Sequence, residues 1–568
     1  MIPGPDHLII APILIPLVAG AMMLFYEDRQ RREKRIISVI SCIALLLAAF
    51  GLVGQAQEAG AGGHAVGVYL LGDWPPPFAI LLVLDRLSGM MLLLTAALSL
   101  ATLVFSFARW DKEGQHFHSL FQFMLMGLNG AFLTGDLFNL FVFFEIMLAA
   151  SYGLALHGSG PLRVRAGLHY IAINLAASLL FLIGVSLIYG VTGTLNMADL
   201  ATRVPLVAAA DRPLLSAGAA ILGLAFLVKA AMWPLGFWLP ITYMAAAPPV
   251  AAMFAMLTKV GVYIILRISS LAFGAGATHM AGLGADFLAT GGMATIAFGM
   301  VGVLASQGLG RLAGCSVLVS SGTVITVAGL VGLGGGAALM AAGLFYLVVS
   351  TLAIAALFLM VELVEREQGG VAALLTVTAE AYGLGDEEHE EMNPDDLGPV
   401  VPGAMTVLGL CFLACTVLVA GLPPLAGFLG KFAMLSAALN SGGLAEGRVS
   451  GEALGFTALL LLSGIAALIA LVREGIRSFW ATEADEAPAL PLVEIVPVVA
   501  LLAVTVFMTV EARQVMRYME ATASSLHHPH LYTEGVLKAQ RRTGAVAPDP
   551  EPEAEEGADA EAATGAER

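Results

Sequence analysis

The sequence predicts an all-α polytopic membrane protein of about 14 transmembrane helices, and three observations carry that prediction. Of 568 residues, 58% are hydrophobic and 12% charged, a balance that no water-soluble chain of this size could place on its surface. The mean hydropathy is correspondingly high, at +0.86. Continuously apolar runs of about 18 to 25 residues recur along the chain, each enough to cross a hydrocarbon core of roughly 30 Å as a helix. They are too long and too uniformly apolar for barrel strands, which alternate over about ten residues.

Taken in order, the spans begin near Leu8, Ile36, Ala79, Phe117, Thr134, Leu168, Ser216, Val250, Ala281, Leu312, Ala338, Pro402, Phe456 and Leu490. The first run, Leu8 to Tyr26, lacks a small-residue cleavage site and leads into a basic cluster, so it reads as a retained span. Connections are short, apart from the stretch between the eleventh and twelfth spans. Positive charge gathers in alternate loops: Arg29, Arg31, Arg32, Lys34 and Arg35; Arg109 and Lys112; Arg163 and Arg165; Arg473 and Arg477. By the positive-inside rule these loops are cytoplasmic and the N-terminus lies outside. An even span count puts the C-terminus outside too, where Arg513, Arg517, Lys538, Arg541 and Arg542 run against the rule.

The net charge of −16 sits largely in two segments, Gly385 to Asp396 and Asp549 to the end. The run Asp386 to Glu391 within Glu380 to Pro399 reads as part of a solvated cytoplasmic loop, and the tail beyond about Ala539 as a disordered, solvated extension. Cys42, Cys315, Cys411 and Cys415 all fall in apolar runs and read as packing residues. No nucleotide loop, metal-ligand cluster or nucleophile triad is apparent, so neither cofactor, metal, nucleic acid nor covalent catalysis is expected.

Four charges stand in the middle of apolar helices: Glu145, Lys229, Lys259 and Lys431. Each costs about 2.5 to 3.5 kcal/mol at the bilayer centre on insertion scales, so together they oppose insertion by on the order of ten. Three lysines cannot all pair statically with one glutamate. At least one must then face a hydrated cavity or give up its proton, which is the chemistry of a proton relay. A second signal is independent of charge. Two spans are broken by Pro and Gly, at Lys229 to Gly236 around Pro234, and at Gly421 to Lys431 around Pro423, Pro424 and Gly427. Each break carries a lysine, and interrupted helices at matching places in two halves point to inverted repeats and a transport path.

Five stretches are long and specific: GDLFNLFVFFE (Gly135 to Glu145), NLAASLLFLIGVSLIYGVTGTLNMADL (Asn174 to Leu200), FLVKAAMWPLGFWLP (Phe226 to Pro240), LTKVGVYIILR (Leu257 to Arg267) and AGLPPLAGFLGK (Ala420 to Lys431). They resemble the antiporter-like membrane subunits shared by respiratory complex I and the multi-subunit Mrp (Pha, Mnh) cation/proton antiporters. YGVTGTLNMADL and EREQGGVAALLTVTAEAYG look most like the D-type subunits of those antiporters. The resemblance runs from about residue 8 to 537. It implies helices 1–3 over residues 1–116, a first inverted repeat of five helices over 117–270, and a second over 271–480 that includes an acidic cytoplasmic loop at 364–400. Helix 14 and a following segment would occupy 481–537, and the disordered tail 538–568. Helices 7 and 12 would be the broken ones.

The resemblance also implies that Glu145 is the fifth-helix glutamate, Lys229 the seventh-helix lysine beside it, Lys259 the eighth-helix lysine, and Lys431 the lysine after the broken twelfth helix. Where the family usually carries a longer polar or titratable side chain in the tenth helix, this chain reads Arg311-Leu-Ala-Gly-Cys315-Ser316-Val-Leu-Val-Ser320-Ser321. The link from Lys259 to Lys431 would then rest on water held by Ser316, Ser320 and their neighbours. Asp136 and Asn139 at the start of the fifth span either line an inlet or, for Asp136, cap the helix. His169 at the foot of the sixth span is either near a cytoplasmic inlet or simply solvated. Asp85 and Arg86, adjacent in the third span, face different ways and anchor to neighbours.

The function this implies is a proton-translocating subunit of a multi-subunit Na⁺/H⁺ or K⁺/H⁺ antiporter in a bacterial cytoplasmic membrane, assembled with other antiporter subunits. The alternative is a pumping subunit in the membrane arm of a complex I-like or hydrogenase redox complex. A non-transporting scaffold is a third reading, which the costly buried charges oppose.

Overall fold

The computed structural model describes residues 5–27, 29–61, 66–78, 80–382, 403–440, 449–479 and 491–539. The chain opens with α1 (Ala11–Leu24) and α2 (Arg31–Ala61), then a small antiparallel pair, β1 (Gly67–Leu70) and β2 (Leu81–Leu84). Next come α3 (Arg86–Ser106), α4 (Phe117–Leu133), α5 (Leu137–Ala155), α6 (Pro161–Thr192), the short α7 (Met197–Arg203), α8 (Arg212–Lys229) and the short α9 (Leu239–Ala245). The second half holds α10 (Pro248–Leu271), α11 (Ala285–Ala305), α12 (Leu309–Gly332), α13 (Ala337–Tyr382), α14 (Gly403–Ala420), α15 (Ala426–Asn440), α16 (Gly451–Phe479) and α17 (Leu492–Val510). Two helices close the described chain, α18 (Ala512–His527) and α19 (Pro529–Leu537).

A helix stands within about two turns of every expected span start. Among the described residues, twelve are long and apolar enough to cross a membrane, and Met405–Ala420 is a shorter apolar helix. The remaining expected span, α4, has 17 residues. The expected third span begins too early. Leu81–Leu84 pairs with Gly67–Leu70 as a strand, and Asp85 caps α3 by accepting from the Ser88 backbone N–H while Ser88 answers with its hydroxyl. Asp85 is thus the helix cap and not a member of the span. The stretch expected as the start of an acidic loop at 364 continues as helix to Tyr382. The acidic run Asp386 to Glu391 and nearly all of the acidic tail lie outside the described residues.

Five helices form most of the interior. The most apolar windows of α10 and α13 are buried throughout, and α3, α4 and α12 are mostly so, whereas α1, α2, α6, α11 and α16 leave more than half of theirs unburied. Helices approach closely where side chains vanish: a Cβ added to Gly322 of α12 would stand 2.9 Å from the Gly292 carbonyl oxygen of α11.

Two polar clusters pin the ends. At one end, Arg267 of α10 makes a bidentate pair with Asp85 at 2.6 and 2.8 Å and lies 5.1 Å over the Tyr532 ring of α19. Tyr518 of α18 donates to the Arg86 carbonyl at 2.8 Å. The segment α18–α19 therefore folds back over this end, burying Met519, Ala523 and Leu526 while Arg513 and Arg517 point outward.

At the other end Arg35 of α2 grips Asp111 at 2.5 and 2.8 Å, with His118 of α4 at 3.5 Å. Burial alone would raise the Asp111 carboxyl, but His118 and Arg35 hold it below the usual carboxylate range. A carboxylate held low stabilises the fold above its unfolded value and loses that contribution as pH falls through the folded one. Asp111→Asn should cost about 1 to 3 kcal/mol at pH 7. Thermal unfolding of the purified chain should show that gap down to about pH 4 and its closure only below. Equal melting of variant and parent at pH 7 would exclude this role for Asp111.

Candidate functional site

Two helix breaks each hold a buried lysine, and each is built by residues that cannot continue a helix. In the first, α8 stops at Lys229, Ala231 takes a left-handed conformation with φ 57°, Pro234 lacks the N–H to carry on, and the Trp233 N–H is satisfied at 2.8 Å by Thr295 of α11. In the second, α14 stops at Ala420, and Gly421 turns the chain with φ 77°. Only glycine serves there, since a Cβ would also stand 2.5 Å from Lys431 Cδ. Pro423 and Pro424 occupy the turn, and Gly427 lets α15 start against the Leu418 carbonyl.

The buried charges have different partners. Lys431 Nζ donates to the Val419 and Ala420 carbonyls at 3.1 and 2.9 Å, so the ammonium is held by the carbonyl end of broken α14. Lys229, also buried, has no hydrogen-bond partner among the described residues. Its Nζ lies 5.0 Å from the centre of the Phe144 ring. Glu145 is half-buried, lies within electrostatic reach of Lys229, and accepts from the Ser178 hydroxyl of α6 at 2.5 Å. Among the described residues no ion pair joins Glu145 to Lys229.

Lys259, 1% exposed on α10, donates to Ser320 at 2.7 Å and reaches Ser321 at 3.3 Å, both on α12. Ser320 is in turn bonded to Ser350 of α13 at 2.8 Å. Ser350 lines a cavity of about 20 Å³, room for one water, whose walls include Ser316, Tyr346, Ser463 and Lys431. A file of hydroxyls thus leads from Lys259 to the chamber that holds Lys431. Each serine oxygen can donate and accept, which is what proton hopping requires.

The supporting residues divide. Ser320 touches Lys259; Ser316 bonds its own helix at Leu312 and reaches only the cavity wall. Asp136 accepts from the Phe138 and Asn139 N–H groups at 2.8 and 2.9 Å and is the cap of α5, while the Asn139 amide bonds Thr134. His169 is exposed, bonded to the Arg165 carbonyl, and is not gathered with the others. Sequence reasoning missed Ser178, Ser350 and Tyr346. It also missed two buried donors beside the first break, Tyr152 Oη and Trp238 Nε1, which have no protein partner among the described residues. Both rings pack against Tyr170, Tyr152 edge-on and Trp238 tilted, with centres 5.5 and 5.4 Å away. Buried donors of this kind are ordinarily satisfied by water.

Residues 134–446 match the family described as NADH:quinone oxidoreductase/Mrp antiporter, TM. A protein of Rhizobium meliloti, named as the probable D subunit of a K⁺/H⁺ antiporter, is 55% identical over 538 residues, covering 94% of this chain and 98% of its own. An Alkalihalophilus pseudofirmus protein, named as the D subunit of an Na⁺/H⁺ antiporter, is 32% identical, covering 94% and 100%. Among solved structures, the Mrp complex of a Dietzia species contains a similar chain, with TM-score 0.76, 26% identity and 94% and 99% coverage. Respiratory complex I of Thermus thermophilus shares the fold, with TM-score 0.69, 22% identity and 92% and 99% coverage.

Proposed function

Because this chain belongs to the NADH:quinone oxidoreductase/Mrp antiporter family of membrane proteins, we propose that it is the proton-translocating D-type subunit of a monovalent cation/proton antiporter. Its partners are the other subunits of that complex, and its site is the bacterial cytoplasmic membrane. The names of relatives at 55% and 32% identity support antiport over a redox pump. Of the two, the more similar is named for K⁺, which supports K⁺ as the exchanged ion.

The relay runs from Glu145 to Lys229, then Lys259, the serine file and Lys431. Residues 117–270 and 271–480 act as inverted repeats, a reading supported by the recurrence of a broken helix with its lysine. The described conformation corresponds to the open state of the first pair, with Glu145 bonded to Ser178 and Lys229 over Phe144. Closing the pair favours a proton on Lys229, and opening it favours passing that proton on. Cation exchange elsewhere in the complex supplies the differential free energy for the change.

The observation that carries this reading is the bonded sequence Lys259–Ser320–Ser350 ending at the Lys431 cavity. It is tested by the double variant Ser320→Ala/Ser350→Ala. Losing these hydroxyls removes the file and costs the ammonium about 1 to 3 kcal/mol, which slows transfer about five- to 150-fold if felt in the barrier. In everted vesicles, K⁺-dependent collapse of a pH gradient should fall by that factor, with the complex intact on a native gel. Ser320→Thr, which keeps the hydroxyl, should retain exchange. Parental rates in the assembled double variant would end the proposal.

A further inference from the structure

A cavity remote from the serine file is almost free of polar lining. It measures about 520 Å³ and lies between α8, α10 and α11, with walls that include Ser216, Ala219, Gly223, Phe226, Ile268 and Phe287. It opens sideways, as the 56% exposure of Phe287 at its edge indicates. Its lining on α8 runs from Leu215 to Leu227, about 18 Å of helix. That is close to half the roughly 30 Å hydrocarbon core, the depth of one leaflet.

Arg212 stands one turn before Ser216 on α8, where the helix enters the membrane. Among the described residues its guanidinium makes one long bond, from Nε at 3.3 Å to the Val207 carbonyl, which leaves the group able to meet an anion. The geometry points to a built site for one acyl chain of an anionic phospholipid, with the headgroup phosphate at Arg212 and the chain end beside Phe226. The occupant also bears on the first break. Phe226 packs on Phe144, the ring beneath Lys229, with centres 6.0 Å apart. Nothing in the assignment depends on the relay.

The test uses the assembled complex in vesicles containing phosphatidylglycerol with a photoreactive diazirine midway along one chain. Irradiation followed by peptide mapping should label the facing surfaces of α8, α10 and α11. Gly223→Trp should remove most of that labelling, since a Cβ at Gly223 meets no atom within 4 Å and the indole has room to fill the groove. Arg212→Gln should weaken labelling by phosphatidylglycerol about fivefold, and by less for the same chain on phosphatidylcholine, whose phosphate charge is offset by its choline. Labelling spread evenly over the lipid faces of α1, α2 and α6, or unchanged in Gly223→Trp, would overturn the assignment. So would a protected groove in which Ala219→Cys forms a cross-link to another protein of the complex.

Discussion

Lys259→Met and Lys259→Arg should each stop cation-dependent proton exchange, by a hundredfold or more, in a complex that still assembles. The two substitutions fail for different reasons. Methionine removes the only charge that α10 presents to the serine file and leaves Ser320 facing a thioether in place of an ammonium. Arginine keeps the charge and can still donate to Ser320 and Ser321, but its guanidinium does not release a proton in a protein. An electrostatic fixture would tolerate arginine; a relay member would not. Because Lys259 is almost wholly enclosed, a steric failure of arginine must be separated from a chemical one. Lys259→His makes that separation, since imidazole is also a foreign shape yet titrates near neutrality. Partial exchange in the histidine variant together with none in the arginine variant supports proton release at this position. Parental exchange with arginine would show that Lys259 is a fixed charge.

The spans were legible because lipid leaves the chain little choice: a helix in hydrocarbon must be apolar for its whole length, and the sequence displays that as an unbroken run. The four mid-span charges were legible for the complementary reason, as costly exceptions inside such runs. What stayed hidden depends on contacts between distant segments. Leu81–Leu84 reads as the start of a span, and only its pairing with Gly67–Leu70 makes it a strand. Asp85 meets Arg267 across 182 residues, so neither sequence neighbourhood announces the pair. Ser350 and Tyr346 sit in a span with no polar periodicity, and a lone serine there usually bonds its own helix. Its position against Ser320 and the Lys431 cavity comes from the crossing of α12 and α13. Lys229 was expected beside Glu145, and the partners each takes in this conformation, Ser178 for Glu145 and the Phe144 ring for Lys229, come from other helices that its sequence neighbourhood does not announce.

That arrangement sharpens the second prediction. Glu145→Ala and Lys229→Ala should each abolish exchange while leaving assembly intact, and combining them should do no further harm. Two opposite charges about 4 Å apart attract by about 4 kcal/mol at an effective dielectric near 20, so closing the pair can compete with the Ser178 bond and the Phe144 contact that hold it open. With Glu145 removed, Lys229 loses the counter-charge that would favour its protonated form. With Lys229 removed, Glu145 keeps Ser178 but has no base to which a proton can pass. Either loss therefore breaks the same step, and residues that act as a unit show losses that do not add. Glu145→Gln refines the test, because the amide can still accept from Ser178 yet cannot ionise. It should assemble like the parent and exchange no better than Glu145→Ala. If the double variant instead lost the product of the two single factors, Glu145 and Lys229 would be serving separate steps, and the switchable pair would have to be abandoned.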